Sequence, residues 1–248
     1  PSRLYYSGTG DPEDWSGGGA GSIDLDPNDG DRIITCIEHL NDLWVFKGPN
    51  VGSIHRIRNA FSISNLTRDV VSRGLPAVSV HGRTTVGTDI FFLTKGGIAS
   101  MAMTEGFGDI TESFISDTVK TLFQESNQSR FFQAHMAHYA HGSAVVTAMT
   151  DGGFTTNNQI HIYDPVGSRW ADPWDLAAAS LAIVVDTSGV KRLYSGDYSG
   201  FTNLEDGANR SDDPSNTAYT WRLRTNAIRF AAQSQMFTPD TEGIMQRI

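Results

Sequence analysis

Five oxygen-bearing residues crowd one short run, DLDPNDGD: Asp24, Asp26, Asn28, Asp29 and Asp31. Carboxylates and amides spaced this way, with a glycine among them, are the chemistry of a calcium loop, because a hard cation collects oxygens. The match is incomplete. Counted from Asp24, the sixth residue is Asp29, where a calcium loop of this kind needs glycine, and the twelfth is Thr35 rather than glutamate. Pro27 adds rigidity that such loops lack. The run reads either as a solvated polar turn between strands or as a calcium site with an unfinished ligand set.

Two other groups invite the same scrutiny. His135, His138 and His141 stand in HMAHYAH, and zinc accepts imidazoles. On a strand, however, His138 faces away from the other two, and no Cys or Glu stands at a matching spacing. A structural or surface role is the expectation. Asp11-Pro12-Glu13-Asp14-Trp15 places carboxylates beside a tryptophan. Glycosidases need two carboxylates flanking a bond, a geometry that neighbours in sequence do not supply, so this run reads as a turn with a buried Trp. There is no nucleophile elbow, phosphate-binding loop or dinucleotide fingerprint. Gly17 to Gly21 has no strand–helix context. Asn65-Leu66-Thr67 and Asn127-Gln128-Ser129 are glycosylation sites only in a chain secreted by a eukaryote. No catalytic residue and no cofactor is expected, and the chain does not read as an enzyme.

Composition narrows the class further. The 248 residues hold 19 Lys+Arg against 28 Asp+Glu, a formal net charge of −9. That balance disfavours a general nucleic-acid binder, which needs cations to displace counterions from phosphates. One cysteine, Cys36, excludes an internal disulfide framework and a Cys-rich zinc module. No apolar run is long enough to cross a membrane as a helix. Charged residues are 19% and glycines number 25, the pattern of many turns and short strands rather than long solvated helices. The chain opens at Pro1 within a strand-like run, as expected of a processed chain or a part of a longer one.

The elements that would position these groups repeat. Ile33 to Ile57 holds an apolar strand, the strand Leu43-Trp44-Val45-Phe46-Lys47, a glycine turn and the strand Ser53 to Ile57. Ala77 to Met103 repeats that grammar around Ile90 to Lys95. Ala134 to Trp170 does so more loosely around Gln159 to Asp164, and Leu181 to Leu204 around Lys191 to Ser195. Arg3-Leu4-Tyr5-Tyr6-Ser7-Gly8 echoes Arg192-Leu193-Tyr194-Ser195-Gly196 and predicts the later strands of a further unit, Leu4 to Ser7 and Asp14 to Ser16. The central anchors Leu4, Leu43, Ile90, Ile160 and Leu193 are 39, 47, 70 and 33 residues apart, near the repeat of propeller blades. The longest gap holds an insert, Glu105 to Gln133, in which Ser116 to Ser126 has helical spacing at Val119, Leu122 and Phe123 and a cap at Ser116 or Asp117.

In Leu43-Trp44-Val45-Phe46 and Ile90-Phe91-Phe92-Leu93 both faces are apolar. Strands of that kind belong between stacked sheets. The expectation is an all-β fold: a β-propeller of about five short blades over residues 1–216, with one helical insert around 105–133. A β-sandwich is the alternative. Residues 217–248 form a C-terminal β segment that either closes the ring or begins a further domain. Within it, Tyr219 to Arg224 alternates as an outer strand does and would cover the edge of the N-terminal unit.

The quoted runs carry a family resemblance. Arg3 to Gly8, Gly10 to Trp15, Leu43 to Lys47 and Ser53 to Ile57 resemble the propeller part of bacteriophage tail hub, nozzle or tubular proteins, and Tyr219 to Thr225 resembles the β segment that follows such propellers. The close part covers about 55 residues, and its motifs are structural. The resemblance implies a structural virion protein of the phage tail, part of the conduit for genome ejection. Its implied partners are other copies of itself in a ring, adjacent tail or adaptor proteins, and DNA that passes without specific binding. The acidic charge suits such a conduit, since like charge keeps the duplex off the wall. The alternative is a carbohydrate- or receptor-binding propeller of a tail, with Trp15, Trp170 and Trp174 stacking on a surface glycan.

Overall fold

A computed structural model describes residues 2–205 apart from 9, 60–64, 103–113, 141–143 and 201. The chain divides into two compact units, Pro1–Glu205 and Asp206–Ile248. The C-terminal β segment and the proposed closing strand Tyr219 to Arg224 lie outside the described residues.

The first unit is all-β, as expected, with one short helical insert. Its strands form five small antiparallel sheets in chain order. Sheet I pairs β1 (Arg3–Tyr6) with β2 (Gly21–Asp24). Sheet II has four strands, β3 (Arg32–His39), β4 (Asp42–Gly48), β5 (Ser53–Arg58) and β6 (Thr67–Arg73). Sheet III has β7 (Arg83–Val86), β8 (Asp89–Thr94) and β9 (Gly97–Ser100). Sheet IV has β10 (His135–Tyr139), β11 (Ala144–Met149), β12 (Gln159–Asp164) and β13 (Arg169–Trp174). Sheet V has β14 (Ser180–Val185), β15 (Lys191–Gly196) and β16 (Thr202–Glu205).

Strand alternation explains how these sheets stack. Successive side chains point to opposite faces, so β4 sends Leu43 and Val45 towards Leu4, Ile23 and Leu25 beside sheet I. The same strand sends Trp44 and Phe46 towards Ile90 and Phe92 of sheet III. In turn β8 sends Phe91 and Leu93 towards Met136 and Val145 of sheet IV. Val146, Ala148 and Ile160 of sheet IV meet Leu193 of sheet V. Sheets II, III and IV are therefore buried on both faces, which is why their central strands are doubly apolar. The first strands β7, β10 and β14 approach one another from sheet to sheet.

Turn chemistry sets the connections. Between β14 and β15, the Asp186 carboxylate accepts the N–H groups of Ser188 and Val190 at 2.9 Å each, and Gly189 takes φ +78°. Between β4 and β5, Gly52 combines φ +77° with a close approach: a Cβ there would lie 2.2 Å from Pro76 Cα, so only glycine fits.

Several expectations are corrected. The N-terminal unit does not use Asp14 to Ser16 as a strand; those residues form a turn, and β2 supplies the second strand. Ile160 lies on the third strand of its sheet, not the second, because HMAHY forms β10 ahead of it. The helical run expected over Ser116 to Ser126 is present, but it begins as a 3₁₀ turn over Asp117–Val119 before α1 over Lys120–Glu125, and a further 3₁₀ segment follows over Gln128–Gln133. Ser116 does not cap it with its side chain; its Oγ accepts the N–H of Ile98 at 3.0 Å. Phe114 bridges Ala99, so this part of the insert stands beside β9, where sheets II and IV have a fourth strand. Phe123 is fully buried, while Val119 and Leu122 pack at the cluster margin.

Candidate functional site

The acidic run closes around a cation that belongs to the chain itself. Lys47, one residue before the end of β4, lies on the same face as Val45 and is fully buried. Its ammonium donates to Leu25 O at 2.6 Å, Asp26 O at 2.8 Å and Asp29 Oδ2 at 2.6 Å, using all three of its protons. The other acidic groups are committed as well. Asp24 holds Arg3 through two hydrogen bonds, 2.6 and 2.9 Å. Asp26 pairs with Arg73 at 2.8 Å and lies 3.7 Å from Arg68 and 3.9 Å from His55. Asp31 accepts the N–H groups of Asn50, Val51 and Gly52 at 2.6–3.0 Å and so caps the β4–β5 turn. Asn28 is exposed.

Electrostatics follow from this arrangement. Burial pushes the Asp26 and Asp29 carboxyls upward, but their cationic partners outweigh it and both sit below the usual carboxylate range. Burial holds the His55 imidazole below its usual value against the pull of Asp26. Among the described residues, no group of three or more His, Cys, Asp or Glu side chains is placed to hold a metal ion. Lys47 was missed as a sequence candidate. Its signal is a lysine in phase with the apolar face of a fully apolar strand, where a charge persists only with partners. Chelation with EDTA is expected to leave the melting temperature unchanged, because lysine, arginine and backbone N–H groups occupy these oxygens. A drop of many degrees, reversed by Ca²⁺, would contradict this.

The histidines separate. His135 and His138 lie on β10, and His141 is outside the described residues. His135 stacks on His81 with ring centroids 4.4 Å apart and planes 13° apart. His138 bonds the backbone of Thr85. Nearby, Arg83 Nε donates to Cys36 O at 3.0 Å. On the neighbouring strands, buried His161 faces Thr147, and neither His161 Nε2 nor Thr147 Oγ1 has a protein partner. Burial pushes His161 down to about 4.

Asp11 and Glu13 do not face one another across a cleft. Asp11 accepts the Glu13 N–H at 3.0 Å, and Asp14 accepts those of Ser16 and Gly17. Trp15 is not buried as expected but 61% exposed, in a turn held by the Asp11 and Asp14 carboxylates rather than by packing on a sheet. Trp174 is 44% exposed. Trp170 instead packs against Phe123 and Tyr163 and donates its indole N–H to Ile115 O at 3.2 Å.

No family model matches the chain, and no curated protein does. Among solved structures it is similar to the computationally designed Ika8 protein, with 10% identity and a TM-score of 0.43. The similarity covers 75% of this chain and 49% of that one, so the chain spans about half the length of the designed protein.

Proposed function

We propose that this chain is a structural protein of a bacteriophage tail, a propeller-type subunit of the ring that conducts DNA out of the virion. The observation that carries the reading is what the resembling residues do. Lys47 of the Leu43–Lys47 strand clamps the loop that follows sheet I, and Asp14 of the Gly10–Trp15 turn folds that turn on itself. Leu43, Val45, Trp44 and Phe46 stack sheets I, II and III. The motif thus serves architecture throughout, as a structural family requires. Stacked small sheets with doubly buried middle members are also the packing logic of propeller blades. Partners in this reading are further copies of the chain, neighbouring tail proteins and passing DNA, which the net charge of −9 keeps from sticking.

A glycan-binding tail propeller is the second reading, favoured by the exposure of Trp15 and Trp174. Negative-stain imaging of the purified chain tests the first: rings with a central opening are expected. Particles that remain monomeric at high concentration would overturn it. Retention on a glycan array, lost in Trp15→Ala or Trp174→Ala, would favour the second reading.

A further inference from the structure

We propose that the stacked His81–His135 pair is an acid-sensitive joint between sheets III and IV, which opens when both rings carry a proton. The pair sits where the two sheets touch through backbone. Residues 81 and 135 form a parallel bridge, and Met136 donates its N–H to His81 O at 2.9 Å. With centroids 4.4 Å apart, two neutral imidazoles, or one neutral and one charged, stack favourably. Two charged ones repel at that distance, and His135 is half-buried, while His81 is exposed to solvent.

The surroundings offer no relief. On the His81 side, β7 brings Arg83, a fixed cation turned to Cys36 O. β11 places Ala148 opposite His135. β10 brings His138, which bonds the backbone of Thr85 and feels the charge of Lys191 from β15. Among the described residues, the histidine with a carboxylate within 4.0 Å is His55, not these two. Every ionisable neighbour named here is neutral or cationic, so the second proton is disfavoured while the joint is closed.

The direction in pH follows. Burial first, and the charge of His81 second, push His135 down to about 4 from an ordinary 6.5. A base whose affinity is lowered in the closed state favours closure above about pH 6.5, and loses that advantage progressively as pH falls towards 4. A difference of this size corresponds to roughly a 300-fold preference of the His135 proton for the open joint. The buried face that opening would wet carries Met136, packed in the cluster between the two sheets.

Amide hydrogen exchange on the full chain tests this, with rates corrected for the intrinsic pH dependence. Between pH 7 and 4.5, protection of the Met136 amide is expected to fall by up to about 100-fold relative to that of Val146 in β11. Taking the ratio cancels the general acid loosening that buried His161 contributes. His135→Gln should abolish the relative loss, and His81→Gln, which removes the smaller of the two causes, should reduce it. Should either variant fold poorly, ring titration of the wild-type chain by NMR decides the matter. His135 titrating near 4 supports the joint. His135 titrating at 6–6.5, or Met136 and Val146 losing protection in parallel, overturns it.

Discussion

Lys47→Met is expected to cost about 3 kcal/mol of folding stability, read from urea unfolding at pH 7. Methionine fills nearly the same volume, so packing is preserved and the loss is electrostatic. It strands two carbonyl oxygens, Leu25 O and Asp26 O, and one carboxylate, Asp29, that share the ammonium. Asp29 is 24% exposed and recovers part of its hydration, which holds the figure at the lower end for a broken buried pair. Lys47→Arg should not rescue. A planar guanidinium cannot direct three donors into a cradle built for a compact ammonium. Lys47→Met with Asp29→Asn should cost at least 1 kcal/mol less than the sum of the single changes, since the two groups interact directly. The sign with pH follows: Asp29 lies below the usual carboxylate range, so this part of the stability is present above about pH 4 and is lost as pH falls further. A loss under 1 kcal/mol for Lys47→Met would mean that the cradle rehydrates freely.

Phe92→Ala is expected to cost about 4 kcal/mol, the larger of the two effects. Phe92 is 1% exposed and its ring lies 4.9 Å from that of Phe46, which is fully buried. The pair spans the contact between sheets II and III. Truncation removes apolar area from both sheets and leaves a cavity whose β-sheet walls cannot easily collapse. Phe92→Leu should cost much less, about 1.5 kcal/mol at most. Phe132→Ala is the control: at 55% exposure it should change stability by no more than about 0.5 kcal/mol. Equal losses at positions 92 and 132 would show that the stacking of sheets II and III carries no special weight.

These two sites show where sequence reading succeeds and where it stops. The strands around Leu43 and Ile90 were legible because side-chain direction alternates along a strand. An unbroken apolar run can satisfy that alternation only if both faces are covered. The glycine turn between Leu43–Lys47 and Ser53–Ile57 was legible because the glycines that signal it are local. β6 was not. Thr67–Arg73 is polar and charged, and its place beside β5 is held in part by the Arg58–Asp69 pair and by Arg68 and Arg73 reaching Asp26. These are partners up to 47 residues apart, which no periodicity reports. The start of the helix in the insert was misread for a related reason. Ser116 could cap locally, but the N–H of Ile98, 18 residues away, takes its hydroxyl instead.

From the sequence alone follow the β class, the alternation that demands neighbours on both faces, the turn positions, and the density of acidic oxygens between β2 and β3. These depend on residues a few positions apart. Which group those oxygens would hold was decided by tertiary structure. β4 delivers Lys47 into the loop from 18 residues away, and an internal cation brought by folding satisfies the carboxylates that spacing alone suggested for calcium. The same holds for the histidines. Alternation along the strand already parted His135 from His138 in the sequence, but only sheet stacking pairs His135 with His81, 54 residues away in the chain.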